Sequence, residues 1–313
     1  MAVYTHLTDT LVSEHIARFG FHELLGVRAT DTGIENTNYF VTARDQQGIS
    51  RQLVLTLFER FALGELPYFL ELTTFLAHRG LPVPAPYRDR DDQALHLLAG
   101  KPAILVPRFG GHHPAIPNLA QCRAIAHAMA QMHLASPDFP QHRANDRDRP
   151  WREQALDQLQ PFLQPAEKTL LQEQLADWRQ HQSAIDRLPA GINHHDLFHD
   201  NALFEGDHLT GIIDFYNACD DVFIYDLAVL VNDWCSDASG ALVAERYHAV
   251  MAAYQELRPL TTEESTLWPR ILRYAALRFW ISRLLSWHLH DARETVSQKD
   301  PAPMRRMLLQ RLE

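Results

Sequence analysis

The stretch that most constrains this chain is a polar loop set between apolar segments. Asn193-His194-His195-Asp196-Leu197-Phe198-His199-Asp200-Asn201 runs into Ala202-Leu203-Phe204, and Leu209-Thr210-Gly211-Ile212-Ile213-Asp214-Phe215-Tyr216 follows shortly after. The apolar triplet reads as a strand, Glu205-Gly206-Asp207-His208 has turn composition, and the second apolar run completes a hairpin. Asp196 and Asn201 bracket the loop at one mouth, and Asp214 stands at the other. Such a set suits phosphoryl transfer. A hydroxyl attacking a nucleoside triphosphate needs a proton acceptor, for which Asp196 is the candidate. It also needs hard oxygen ligands for Mg²⁺, here Asn201 and Asp214, because that ion takes few protein ligands and completes its shell with substrate phosphates. The competing chemistry is a transition-metal site made of His194, His195, Asp196, His199 and Asp200. Ligands packed so closely on a short loop cannot all converge, and no second His/Cys group accompanies them.

The spacing His194-x-Asp196-x-x-x-x-Asn201 resembles the kinase catalytic loop H-x-D-x-x-x-x-N, with Asp214 in the place of the Asp of D-F-G. Tyr216 replaces the Gly, so the chain departs from ordinary protein kinases. His-x-Asp-Leu-x-x-x-Asn followed by a short hairpin ending in Ile-Ile-Asp-Phe resembles the aminoglycoside phosphotransferase and choline kinase superfamily. That resemblance implies that His194 props the loop and that Asp226, in Tyr225-Asp226-Leu227-Ala228, braces it from a structural position.

At 313 residues, 46% of them hydrophobic, the chain is long enough for a large core in one domain or two packed lobes. Its formal charge of −10 and the lack of any basic run argue against a nucleic-acid partner, and ATP would be held by local donors and Mg²⁺ rather than by the overall field. Cys122, Cys219 and Cys235 are scattered without metal-ligand spacing, which suits a reducing compartment. The N-terminus lacks a signal pattern, and no apolar stretch reaches the roughly 18 residues needed to span a bilayer. The expectation is a cytoplasmic protein with no membrane partner.

Along the chain, residues 5–19 have loose helical periodicity. Short β-like runs follow at 24–28, 38–42 and 52–58, with turn-rich segments between them. Leu66, Phe69, Leu70, Thr73, Leu76 and Ala77 recur at helical spacing behind Pro67, and Gly80 with Pro82 ends that helix. Strands are expected at 94–98 and 103–106. The Pro/Gly-rich segment from Pro107 marks the hinge. After it, Asn118 caps a helix to about Ser136, residues 137–150 connect, and helices are expected at 151–163, 165–188, 225–235 and 241–257. Thr261-x-x-Glu264 then opens a long helix toward Ala292. The order predicts an α+β, protein-kinase-like two-lobed fold. A five-stranded antiparallel N-terminal lobe over residues 1–107 would bind nucleotide, and a mostly helical C-terminal lobe over 108–313 would carry catalysis and the acceptor.

On the nucleotide side, residues 33–40 occupy the place of a phosphate-covering loop, with Glu35, Asn36, Thr37 and Asn38 as candidates, although the segment is no G-x-G-x-x-G. Thr56 stands where a kinase V-A-I-K motif carries its phosphate-pairing Lys, and no Lys precedes Lys101. Mg²⁺, backbone donors or an Arg such as Arg51 would have to neutralise the phosphates. A helical Glu partner, Glu65 or Glu71, then loses its usual ion-pair role. Val106 and Arg108 leave the last small-lobe strand where kinases bind adenine through main-chain groups. On the acceptor side the candidates are Asn217 and Asp220, Asp233 with Trp234, and Arg278 with Arg283; Arg suits a carboxylate and Asp an ammonium group.

The segments Glu35–Phe40, Leu53–Glu59, Leu66–Phe69, Gly80–Pro84, Gly100–Ala103, the hairpin, Ile213–Cys219, Tyr225–Ala228 and Asn232–Cys235 narrow the resemblance to bacterial homoserine kinases built on the choline-kinase-like fold, which also carry Thr at the Thr56 position. This implies ATP-dependent phosphorylation of the L-homoserine hydroxyl to O-phospho-L-homoserine, for threonine biosynthesis. Another small-molecule kinase, acting on choline, an aminoglycoside or an amino alcohol, is the alternative within the class, and Trp234 or Trp280 would serve a quaternary ammonium. A non-catalytic nucleotide-binding module is the alternative outside it, suggested by the missing Lys. The presence of Asp196, Asn201 and Asp214 together argues against that module, which needs no general base.

Overall fold

The computed structural model describes residues 5–30, 36–289 and 299–312. The chain divides into two compact units, one made mainly of Met1–Gly111 with Thr210–Ile213, the other of His112–Leu209, Asp214–Glu294 and Gln298–Glu313.

In the first unit, α1 (Asp9–Ala17) is capped by Thr8, whose hydroxyl accepts the Leu11 N–H at 3.3 Å. The sheet comprises β1 (Phe21–Ala29), β2 (Asn36–Asp45), β3 (Ser50–Phe58), β4 (His96–Leu98) and β5 (Lys101–Pro107), in the order β1-β2-β3-β5-β4 and antiparallel throughout. Alternation decides its faces: Thr37, Tyr39, Val41 and Ala43 of β2 point inward. Their core also holds Val12 and Ile16 of α1, Leu53, Leu55 and Leu57 of β3, and Leu105 of β5. Helix α2 (Pro67–His78) starts with Pro in its first turn, where a missing N–H costs nothing.

The second unit is mostly helical. Helix α3 (Leu119–Ala135) opens with a reciprocal box in which Asn118 and Gln121 each accept the other's backbone N–H, at 2.9 and 3.1 Å. After it come α4 (Arg149–Leu159), α5 (Pro165–Ile185) and β6 (Ala190–Asn193), then the hairpin of β7 (Ala202–Glu205) and β8 (His208–Ile212). Then follow β9 (Cys219–Val222), α6 (Phe223–Trp234), α7 (Ala244–Leu257), α8 (Thr262–Leu289) and α9 (Ala302–Gln310). The expected end of α8 near Ala292 lies outside the described residues. Helix α6 is buried on nearly every side, which carries Asp226 into the interior.

Two features depart from the sequence reading. β6 and β9 pair antiparallel, with Ile192 opposite Asp220 and Asn193 opposite Cys219. Four-residue strands are too short to show alternation, and Asp-Asp is poor strand sequence. The other is α9, which docks through the side chain of Arg311. Its guanidinium donates to the Gly240 carbonyl at 2.9 Å, Asn232 Oδ1 at 3.0 Å and Ser236 Oγ at 2.8 Å. Gly240 has φ +88°, and a Cβ there would lie 2.8 Å from the backbone of Met307. Gly240→Ala is therefore expected to cost about 2–3 kcal/mol, seen as a lower unfolding midpoint, because strain and overpacking add.

Candidate active site

The loop before β7 is held from beneath by one buried carboxylate. Asp226 is fully buried, and its two oxygens accept the backbone N–H groups of His194 and His195, each at 2.8 Å. His133 on α3 reaches the same carboxylate through Nε2 at 3.2 Å, while its Nδ1 lies 2.7 Å from the Tyr254 hydroxyl. Arg258 continues the chain, donating to Tyr254 Oη at 3.2 Å and to Glu264 at 2.7 Å. Burial keeps His133 neutral by lowering its pKa, so Nε2–H donates to Asp226 and Nδ1 accepts from Tyr254. Burial opposes the Asp226 carboxylate, yet the group is held below the usual range, with the hydrogen bond from His133 leading the causes that lower it.

This arrangement sets the acid side of the stability profile. His15 in the first unit is likewise lowered, to about 4, by burial first and then by His96 and Arg18. Unfolded, both histidines take a proton below about pH 6.5; folded, they resist it, so stability present above that pH is lost as pH falls toward 4. Each group contributes a slope of at most about 1.4 kcal/mol per pH unit. Urea unfolding between pH 7 and 5 is expected to show this loss, and His15→Phe to flatten it.

The rest of the loop is tied down residue by residue. His195 has a left-handed backbone, φ +67°, which a side-chain-bearing residue adopts only when its surroundings enforce it. Its ring bonds Asp221 through Nε2 at 3.0 Å and stacks on Tyr225 at 4.9 Å. The His194 ring packs on Phe215 at 4.5 Å. Asn201 donates from Nδ2 to the Asp196 carbonyl at 2.8 Å, closing the loop on itself. The Trp234 indole donates to the Leu197 carbonyl at 3.0 Å, and Asp233 accepts both the backbone N–H and Nδ1 of His199.

What this frame presents is Asp196. Burial pushes its carboxyl up to about 7, against the pull of Arg278 and with added repulsion from Asp214 and Asp200. That is the range in which a general base works best at neutral pH. Asn217 points its amide at Asp196 Oδ2 from 3.5 Å. Asp214 follows β8 with φ +66°, a second left-handed residue at the site. An Asn carbonyl oxygen and a carboxylate are the hard donors Mg²⁺ prefers, and Asn201 uses only its amide nitrogen in bonding Asp196, so its oxygen has no partner among the described residues. The imidazole alternative fails on geometry: the His195 and His199 rings turn to different aspartates, and among the described residues no three His, Cys, Asp or Glu side chains gather as a metal site.

The nucleotide candidates all fall in the first unit. Glu35 lies outside the described residues; Asn36, Thr37 and Asn38 begin β2. Thr37 donates to Glu59 at 2.7 Å, and Thr56, opposite Asn38 in the β2/β3 register, donates to its Oδ1 at 2.7 Å. Val106 is buried opposite Val54; the Arg108 N–H meets the Gln52 carbonyl, and its guanidinium lies 3.8 Å over the Phe40 ring. Arg51, the substitute cation offered by the sequence, is paired with Asp45 at 3.0 Å. Glu71 pairs with Arg88 at 2.6 Å, and Glu65 caps the Ala62 N–H.

Three acceptor candidates make contacts within the protein. Trp234 is fully buried and Asp233 is spent on His199. Asp220 accepts the Arg143 N–H at 3.2 Å and faces His142 Nδ1 at 2.9 Å. Arg283 donates to the Asp300 carbonyl at 3.2 Å, whereas Arg278 is 3% exposed with its Nε unpartnered. Sequence reasoning treated residues 137–150 as a connection only. In fact they line β9: Asp220 N–H reaches the Arg143 carbonyl at 2.8 Å, and Asn145 donates to Asp221 at 2.7 Å. The length of that polar loop was its signal, since structureless connections of this size are usually functional.

The family model described as "Phosphotransferase enzyme family" (APH) matches residues 26–260. The chain belongs to that phosphotransferase family. This phosphotransferase is 42% identical to a homoserine kinase of Cupriavidus pinatubonensis, over 100% of the chain and 96% of the relative. It is 41% identical to a homoserine kinase of Methylobacillus flagellatus, over 98% and 94%. Its fold is also that of an amicoumacin kinase solved with AMP-PNP and Ca²⁺, at TM-score 0.66 and 17% identity over 97% of this chain and 92% of that one. Aminoglycoside 2′-phosphotransferase-IIIa, solved with GDP, gives 0.65 and 16% over 97% and 99%. The α+β, protein-kinase-like architecture expected from the sequence is therefore the architecture found. Among the described residues, no helix of the phosphotransferase is long and apolar enough to cross a membrane.

Proposed function

We propose that this phosphotransferase is a homoserine kinase, transferring the γ-phosphoryl group of ATP to the side-chain hydroxyl of L-homoserine. The observation that carries the reading is roughly 40% identity to homoserine kinases along the whole chain, with the Asp196, Asn201 and Asp214 set intact.

Asp196 orients the hydroxyl and takes its proton as the oxygen–phosphorus bond forms, while the bond to the ADP oxygen breaks and ADP leaves. Asn201 and Asp214 are the residues to hold Mg²⁺, which when bound offsets charge on the transferred group. Residues 1–107 act as the nucleotide lobe, with Glu35, Asn36, Thr37, Asn38, Thr56 and the main chain at Val106 and Arg108 toward ATP; residues 108–313 supply catalysis and acceptor. His194 and Asp226 support the loop. The three cysteines are free and buried, in keeping with a reducing, cytoplasmic setting. A choline-type acceptor is disfavoured because both indoles offered for an aromatic cage are core: Trp234 is 0% and Trp280 1% exposed.

ADP release in the presence of Mg-ATP, compared across L-homoserine, choline, L-serine, L-threonine and an aminoglycoside, tests the assignment. Homoserine-selective release is expected. Selective release with another acceptor would keep the kinase and overturn the substrate.

A further inference from the structure

Arg278 of α8 is a buried cation without a salt bridge. It is 3% exposed, yet among the described residues no carboxylate pairs with it and its Nε has no hydrogen-bond partner. Burying an unpaired charge is costly, so a guanidinium kept this way marks a place where an anion arrives. The location is defined by packing. Its Cζ lies 4.0 Å over the Phe279 ring, and that ring packs 4.6 Å from Phe198, two residues beyond Asp196 in the catalytic loop. Arg278 is also the strongest cationic influence on Asp196.

A second arginine contributes its charge. Arg147 sits in the loop that lines β9, where its backbone N–H bonds Asn145 Oδ1 at 2.8 Å and its carbonyl accepts from Arg152 at 3.3 Å. No ion pair holds its side chain among the described residues. Burial first, and the Arg147 charge second, lower the pKa of Arg278 to about 10, which leaves Arg278 charged at neutral pH. A buried guanidinium without a carboxylate partner among the described residues, lying on the ring that touches the catalytic loop, has the make-up of an anion seat.

We infer that Arg278 forms the seat for the α-carboxylate of the amino-acid acceptor, fixing the hydroxyl at Asp196. The inference rests on the homoserine kinase reading and assigns its specificity chiefly to one residue. The planar fork of Arg278 suits bidentate capture of a carboxylate. An amino alcohol without the carboxylate leaves that cation buried and unpaired, so rejection comes from the seat as well as from lost attraction. A phosphate of ATP shares the anion chemistry and is the other possible occupant.

Steady-state kinetics with L-homoserine and with 3-aminopropan-1-ol, its decarboxylated counterpart, separates these. Wild-type kcat/KM is expected to be on the order of 10²–10³-fold lower for the amino alcohol, the scale of truncating one partner of a buried charge pair. Arg278→Gln should lower kcat/KM for homoserine by a similar factor, mainly through the homoserine KM, leave the ATP KM unchanged, and cost nothing further on 3-aminopropan-1-ol. Arg147→Gln, in a half-buried loop position, should act in the same direction by a smaller factor with an unchanged melting curve. Should Arg278→Gln fail to fold, the wild-type acceptor pair and Arg147→Gln carry the test alone. Equal losses on both acceptors, a raised ATP KM, or a wild type that takes both acceptors equally would overturn the seat. A wild type inactive on homoserine but active on another acceptor would instead overturn the substrate reading beneath it.

Discussion

Asp196→Asn is expected to lower kcat by about 10²–10⁴-fold, the range a positioned general base contributes. The change keeps the side-chain size and removes the capacity to take the proton. The fold should not notice, because the bond that closes the loop uses the Asp196 carbonyl and the brace from Asp226 uses the N–H groups of His194 and His195. The KM for ATP is accordingly expected to stay within about two-fold while kcat collapses, the pattern of an interaction made only in the transition state. The same residue sets a pH sign. With its carboxyl at about 7 in the free protein, the base is protonated and idle on the acid side, so wild-type kcat/KM should rise as pH increases through that region. In Asp196→Asn, the residual rate should lose that limb.

Asp226→Ala should be the most destabilising single change near the site. Its carboxylate is fully buried and is the shared acceptor for two backbone N–H groups and the His133 ring. Truncation strands those three donors in the interior, at a cost of about 3–5 kcal/mol, corresponding to a melting point lower by roughly 10 °C. Activity should fall with it, because His195 keeps its left-handed backbone only while the carboxylate holds both neighbouring amides. Differential scanning calorimetry separates this role from a chemical one: lost activity with an unchanged melting curve would make Asp226 a participant in the reaction and refute the brace.

What the sequence made legible was local. The hairpin, the strand at 38–42, the Asn118 cap and the box at Thr261–Glu264 are each written within a few residues, and all appear in the fold. What escaped depends on partners far along the chain. Asp233 and Trp234 were read for an acceptor's ammonium group, and their bonds to a loop more than thirty residues earlier follow from the packing of α6 under that loop. His133 sits within a helix that the sequence marked by its cap; its partners Asp226 and Tyr254 lie 93 and 121 residues away. The β6/β9 ribbon and the Arg311 anchor of α9 had no periodic signature to betray them. Arg278 is the opposite case: its chemistry was visible in the sequence, and only burial without a partner separates it from a salt-bridged helix face.

The most direct test is to identify the product formed from L-homoserine and Mg-ATP by ³¹P NMR. A phosphate monoester resonance of O-phospho-L-homoserine, growing in step with ADP and absent with Asp196→Asn, is the predicted result. Inorganic phosphate alone, or a monoester that Asp196→Asn still forms at the wild-type rate, would contradict a kinase in which Asp196 handles the acceptor hydroxyl.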